Sequence, residues 1–224
     1  MAYGDPMVTL AEQLYLLAED AATGRPLIDP THVGRGLGGA LLLDLALRRR
    51  VALVDSCVVT TSREPTGEPL LDAAHTTIGR QTRTHGPDHW VRHLARGAHA
   101  AVQEHLIVIG VLRREDRRIL QVIHLHRTRE TDGRLHHELL DHLHDAVVLD
   151  HTPAPETAAL ASLALAVGLD RRLFPRSDRS AVRHRMGEVA ARCSDGAWVT
   201  SAVTAAINAA DAASGITPAS DAFP

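Results

Sequence analysis

GLGGALLLDLALRRRVALV, residues 36–54, decides the fold of this chain. Gly36, Gly39 and Ala40 give one helix a small-residue face for close backbone approach. The apolar run from Leu41 to Leu47 completes that helix, interrupted by Asp44. Three consecutive arginines, Arg48 to Arg50, then stand between the helix and an apolar strand, Val51 to Val54. Cations at a helix C-terminus complement its dipole, which is the plain structural role for this triplet. An anionic partner is the functional alternative. A second basic segment, GVLRREDRRILQVIH at Gly110 to His124, reads as a helix-stop glycine, a strand, a tight charged turn over Arg113 to Arg118, and a second strand. Two basic helix–strand junctions point to contact with something anionic rather than to a catalytic centre.

Working outward, helical periodicity recurs along the chain. Thr9 and Glu12 have the spacing of a capping box, and Leu10, Leu14, Leu17 and Ala18 follow at helical intervals, predicting a helix from Leu10 to about Ala22. Asp29-Pro30 supplies an N-cap and a first-turn proline for the next helix, expected to run to Arg48. Val51–Val54 and Cys57–Thr60 read as a hairpin, and Leu70–Ile78 as a short helix. Pro87 opens a helix with Trp90, Val91 and Leu94, Gly97 breaks it, and Ala98–Ile109 continues to Gly110. Arg127 to Gly133 reads as an exposed charged loop, and Arg127 to Leu135 as a protruding loop or hairpin available for self-association or membrane contact. Helices are expected over Leu135–Leu149, Glu156–Val167, Asp178–Cys193 and Ala197–Ala213. The fold class is mainly α: a single multi-helical domain, 8–213, with short peripheral β-hairpins and a disordered tail, 214–224.

Composition narrows the function. The chain has 224 residues, of which 3% are aromatic, so its core rests on Leu, Val, Ile and Ala. Its 24 basic residues are all arginine, and the formal net charge is −3, which argues against a general nucleic-acid glove and makes any basic site local. Cys57 and Cys193 lie far apart without metal-ligand spacing, as suits a reducing cytoplasm. Met1 to Pro6 is polar and does not read as a signal peptide, and no apolar run is long enough for a membrane span. The expected location is cytoplasmic, at most peripheral to the inner face of a membrane.

The order of LAEQLYLLAED (10–20), GLGGALLLDLALRRRVAL (36–53), PTGEPLLDAA (65–74), GVLRRED (110–116) and an Ala/Leu-rich helical C-terminus resembles the Golgi phosphoprotein 3 family, in a form similar to actinobacterial members. The resemblance spans about Leu10 to Ala210. It implies a mostly helical domain with no catalytic activity and no cofactor. It also implies binding of phosphatidylinositol 4-phosphate or other anionic phospholipid headgroups at a membrane surface, with adaptor contacts to partner proteins and a hairpin serving self-association into homo-oligomers. The family's headgroup pocket uses a tryptophan before the second helix, an arginine within it, and two arginines three apart on a later helix. Those positions fall here at Asp29, at Gly38 with Arg35 one turn earlier, and at Arg96 and His99. The resemblance therefore implies an anionic-headgroup site of Arg96, His99 and Arg35, with the pocket only partly retained.

Other readings are weaker. His137, Asp141 and His144 share one helical face, but a solvated face accounts for them as well as a metal does, and no metal is expected. Ala98 to Leu125 has the rhythm of a winged helix with Arg113–Arg118 as the wing, an alternative as a nucleic-acid-binding regulator. The net charge and the lack of a basic recognition helix make nucleic acid the lesser partner. No P-loop, Gly-x-Ser-x-Gly elbow or Cys–His constellation suggests an enzyme.

Overall fold

The computed structural model of the chain describes residues 8–21, 23–119, 123–175, 177–193 and 196–214. Among the described residues there are ten helices: α1 (Leu10–Ala18), α2 (Pro30–Leu47), α3 (Pro69–Gly79), α4 (Pro87–Ala95), α5 (Ala98–Val108), α6 (Arg134–Val147), α7 (Pro155–Ala166), α8 (Asp170–Leu173), α9 (Arg179–Ala191) and α10 (Ala197–Ala213). Two antiparallel two-stranded ribbons complete it, β1 (Val51–Val54) with β2 (Cys57–Thr60), and β3 (Leu112–Ile119) with β4 (Ile123–Glu130). The architecture is the mainly α one that the periodicity predicts. The tail from 215 onward lies outside the described residues.

The central helix is α2. Every residue from 36 to 45 is buried, so the helix is covered on all sides. It packs against α1, α3, α4, α5, α7 and α10. The glycines make this possible. A Cβ on Gly36 would stand 2.6 Å from the Val167 side chain, and one on Gly38 would stand 2.7 Å from the Ala95 backbone nitrogen. Leu37, Leu42, Leu43 and Leu45 are fully covered, and each such burial contributes about 2 kcal/mol before the entropy of ordering is counted. Asp44 is buried among them but satisfied: it accepts from the Leu10 backbone N–H at 3.0 Å and from Arg48 Nε at 2.6 Å. The residue that interrupts the apolar run thus ties α1 to α2.

The three arginines after α2 belong to the helix end. Arg49 adopts φ 55°, and Arg50 N–H donates to Leu45 O at 2.8 Å while Arg49 N–H donates to Ala46 O at 2.9 Å. This is a Schellman motif with arginine where glycine is usual. Arg50 also donates to Ser62 Oγ at 3.1 Å and to Pro65 O at 3.3 Å. Asp55 and Ser56, at φ 48° and 62°, form the tight two-residue turn that a β1–β2 hairpin requires.

Three expectations are corrected. First, α1 ends at Ala18 rather than near Ala22, because Glu19 is extended and bridges to Pro26, and Leu27 N–H donates to Ala18 O at 2.8 Å. Second, Arg113–Arg118 is not a turn. It pairs residue by residue within β3–β4, from Leu112↔Glu130 to Ile119↔Ile123, and residues 120–122 lie outside the described residues. Backbone groups satisfy a ladder whatever the side chains, so a charged sequence does not preclude a strand. Third, Arg127–Leu135 is not one loop but the end of the β3–β4 hairpin followed by the start of α6. β4 runs to Glu130, α6 begins at Arg134, and Thr131 is pinned to the base of the ribbon through its N–H to Val111 O at 2.9 Å and its Oγ1 to Gly110 O at 2.8 Å.

Candidate anionic-headgroup site

The site forms where the N-terminal half of α2 crosses the C-terminal half of α4. Gly38 fixes that crossing, since its Cα faces the backbone of Val91 and Ala95 with no room for a side chain. An arginine therefore cannot stand at residue 38, and Arg35, one turn earlier, is the α2 arginine that reaches α4. Its Nη1 donates to Arg92 O at 3.4 Å, and its Nε is buried without a hydrogen-bond partner. Burial depresses the Arg35 pKa, and the charges of Arg92 and Arg96 depress it further. Three guanidinium groups thus act on one another here, and no carboxylate pairs with Arg35 or Arg96 among the described residues. Arg92 is bridged to Asp88 at 2.6 Å, one turn back on α4.

Arg96 lies at the C-cap of α4, where its Nη2 meets His93 Nδ1 at 2.5 Å. Arginine has no acceptor, so His93 accepts through Nδ1 and its ring is neutral in this arrangement. His93 stacks in turn on His89 at 5.8 Å, and His89 on His85 at 3.9 Å with the planes 11° apart. His93 is held below the usual imidazole pKa by burial, then by Arg96 and His85. Burial likewise lowers His89, helped by His85, His93 and Arg92, with Asp88 opposing.

His99 goes elsewhere. Gly97, at φ 81°, turns the chain between α4 and α5. His99 then contacts Glu19 Oε1 at 3.2 Å and packs on the Tyr15 ring at 5.0 Å. Burial first, and the Glu19 charge second, push the Tyr15 phenol up to about 12. The three-residue spacing of Arg96 and His99 suggests a shared face, and the left-handed glycine between them undoes it. Arg92 was not singled out in the sequence, although it stands four residues before Arg96 on the same helical face.

Other clusters have ordinary partners. Arg114 pairs with Glu104 of α5. His137 Nδ1 lies 2.6 Å from Gly133 O at the start of α6. Among the described residues no group of three or more His, Cys, Asp or Glu side chains is placed to hold a metal ion. The groove between α7, α9 and α10, of about 500 Å³, is lined mostly by Ala, Thr and Ser side chains, and its two basic residues have carboxylate partners: Arg183 lies 3.8 Å from Asp170 and His32 lies 2.9 Å from Asp211.

The sequence model of the Golgi phosphoprotein 3 (GPP34) family matches residues 10–210, from the first residue of α1 to within the last turn of α10. The chain belongs to the Golgi phosphoprotein 3 family. No curated protein matches it. The GPP34 match covers both α2 and α4, so the arginine cluster lies within the part of the chain that defines the family. No described helix is long and apolar enough to cross a membrane.

Proposed function

We propose that the protein is a non-enzymatic binding module of the GPP34 type that holds the phosphate of an anionic phospholipid headgroup between Arg35, Arg92 and Arg96. One observation carries the reading. Arg35 is partly withdrawn from water, its Nε has no partner, and its charged neighbours are cations. Such a cluster costs free energy unless an anion occupies it, and guanidinium forks match phosphate oxygens in geometry and charge. Headgroup binding would hold the protein at a membrane surface, and an adaptor role toward partner proteins is the reading that membership of the family suggests.

The test is flotation with vesicles containing phosphatidylglycerol at low salt. The parent floats with these vesicles and not with phosphatidylcholine alone. Arg35→Ala and Arg96→Ala each weaken binding about tenfold or more, the scale of one lost charge-assisted contact. Duplex DNA provides a competing arm. DNA binding with no vesicle binding would move the protein to the nucleic-acid class.

A further inference from the structure

The α4 segment presents more than the arginine cluster. His89, Arg92, His93 and Arg96 stand at i, i+3, i+4 and i+7, so they share one face, and His85 extends that stripe beyond the first turn through its stack on His89. The opposite face is core: Trp90 and Val91 are fully covered and Leu94 is buried. At the N-terminal end of α4 sits the β1–β2 hairpin. Val58 N–H donates to His85 O at 2.9 Å, and the Ser56 carbonyl closes over Gly86. Leu53 and Val54, next to the tip of that hairpin, are 39% and 48% exposed.

We propose that this histidine–arginine stripe, together with the apolar hairpin tip, is a docking surface for an anionic bilayer, and that protons on the histidines strengthen its grip. The inference rests on the headgroup reading above. Charge complementarity selects the partner's sign, since the stripe and Arg35 carry three arginines against the single carboxylate of Asp88, which is already paired with Arg92. Leu53 and Val54, exposed on the hairpin that joins the N-terminal end of α4, favour a bilayer over a nucleic acid, because exposed apolar side chains on a cationic module match the headgroup–acyl boundary.

The acid dependence follows from the contacts. The charged groups acting on His93 are Arg96 and His85, and those acting on His89 are His85, His93, Arg92 and Asp88. From the elements behind the helix, Arg35 of α2 reaches the edge of the stripe. At neutral pH His93 accepts from Arg96 and the two rings are uncharged. A proton on His93 Nδ1 removes that acceptor, frees Arg96 to turn outward and adds a cation beside it. Stacked imidazolium rings repel one another, and an anionic surface relieves the repulsion, so proton uptake and bilayer binding reinforce each other.

The experiment is flotation at about pH 7.5 and about pH 5 with phosphatidylglycerol vesicles, because His89 and His93 are held below the ordinary imidazole value and take up protons only below about 6.5, while lipid phosphates keep their charge. The parent gains about tenfold in affinity on acidification, the order that one or two added cations give near an anionic leaflet. The double variant His89→Gln/His93→Gln gains about twofold or less. His184→Gln, on the exposed face of α9, keeps the parent's gain and controls for the general rise in charge. Leu53→Ser/Val54→Ser weakens vesicle binding at both pH values. Circular dichroism at the acid pH checks that each variant is folded. An equal acid gain in the parent and the double histidine variant would overturn the proposal while leaving the headgroup reading intact, provided that Arg35→Ala still weakens binding. An acid gain on duplex DNA without one on vesicles would also overturn it. No parent binding at either pH would overturn both readings.

Discussion

Arg96 and His93, one turn apart at the end of α4, are joined by a guanidinium-to-imidazole hydrogen bond of 2.5 Å. A cation that donates to a neutral histidine, rather than to a carboxylate, keeps its full charge available to an outside anion. The carboxylate nearest on that helix, Asp88, is taken by Arg92.

The crossing of α2 and α4 brings Arg35 to α4, and Gly38 sets the crossing. Gly38→Ala places a methyl group against backbone atoms of Val91 and Ala95, which cannot move aside as a flexible side chain would. We expect a loss of about 3 kcal/mol or more, measured by chemical denaturation, with a parallel loss of vesicle binding.

Arg49 predicts the opposite sign. It holds a left-handed backbone at the end of α2, and its side chain is exposed. Arg49→Gly should raise stability by about 0.5–1 kcal/mol, and an unchanged or lower denaturation midpoint would contradict the Schellman assignment.

Glu12 is fully buried in α1. It accepts from Thr9 N–H at 2.7 Å, from Thr9 Oγ1 at 2.8 Å and from His105 Nδ1 at 2.6 Å. Glu12→Ala removes the N3 half of the capping box and leaves buried donors of Thr9 and His105 unpaired, so a loss of about 3 kcal/mol is expected in thermal or urea unfolding.

The histidine ladder also carries a stability signature. His89 and His93 have folded pKa values below that of a free imidazole, so the unfolded chain takes up protons first. The stability that these rings contribute is full above about pH 6.5 and is lost as pH falls through their folded values. The thermal midpoint of the parent should therefore fall more steeply on acidification than that of His89→Gln/His93→Gln. Parallel slopes would contradict the burial of these rings.

Much of the fold was legible in the sequence, because helix signals are local. Thr9 and Glu12 announce α1, Asp29-Pro30 announces α2, and Gly97 separates α4 from α5, each through backbone chemistry within a few residues. The errors fall where distant partners decide. α1 stops early because Glu19 pairs with Pro26, and Arg113–Arg118 is strand because β4 lies opposite. Arg35 and Arg96 came from a family resemblance, and the geometry brings them together. His99 came from the same source, and one left-handed glycine sends it to Glu19. Arg92 and the ladder from His85 to His93 needed the packing of α4 to become visible, since the spacing of histidines does not say which face of a helix is buried.

The most direct test of the central claim observes Arg35 itself. Its Nε–H is buried and unpartnered, so the side-chain NMR resonance of that group should report an arriving anion. Titration with a soluble glycerophospholipid headgroup at low salt is expected to shift the Arg35 Nε–H signal saturably, with no shift at Arg48, whose Nε already donates to Asp44 Oδ1 at 2.6 Å. An Arg35 signal that stays in place, or that moves only in step with Arg48, would contradict a headgroup site between Arg35, Arg92 and Arg96.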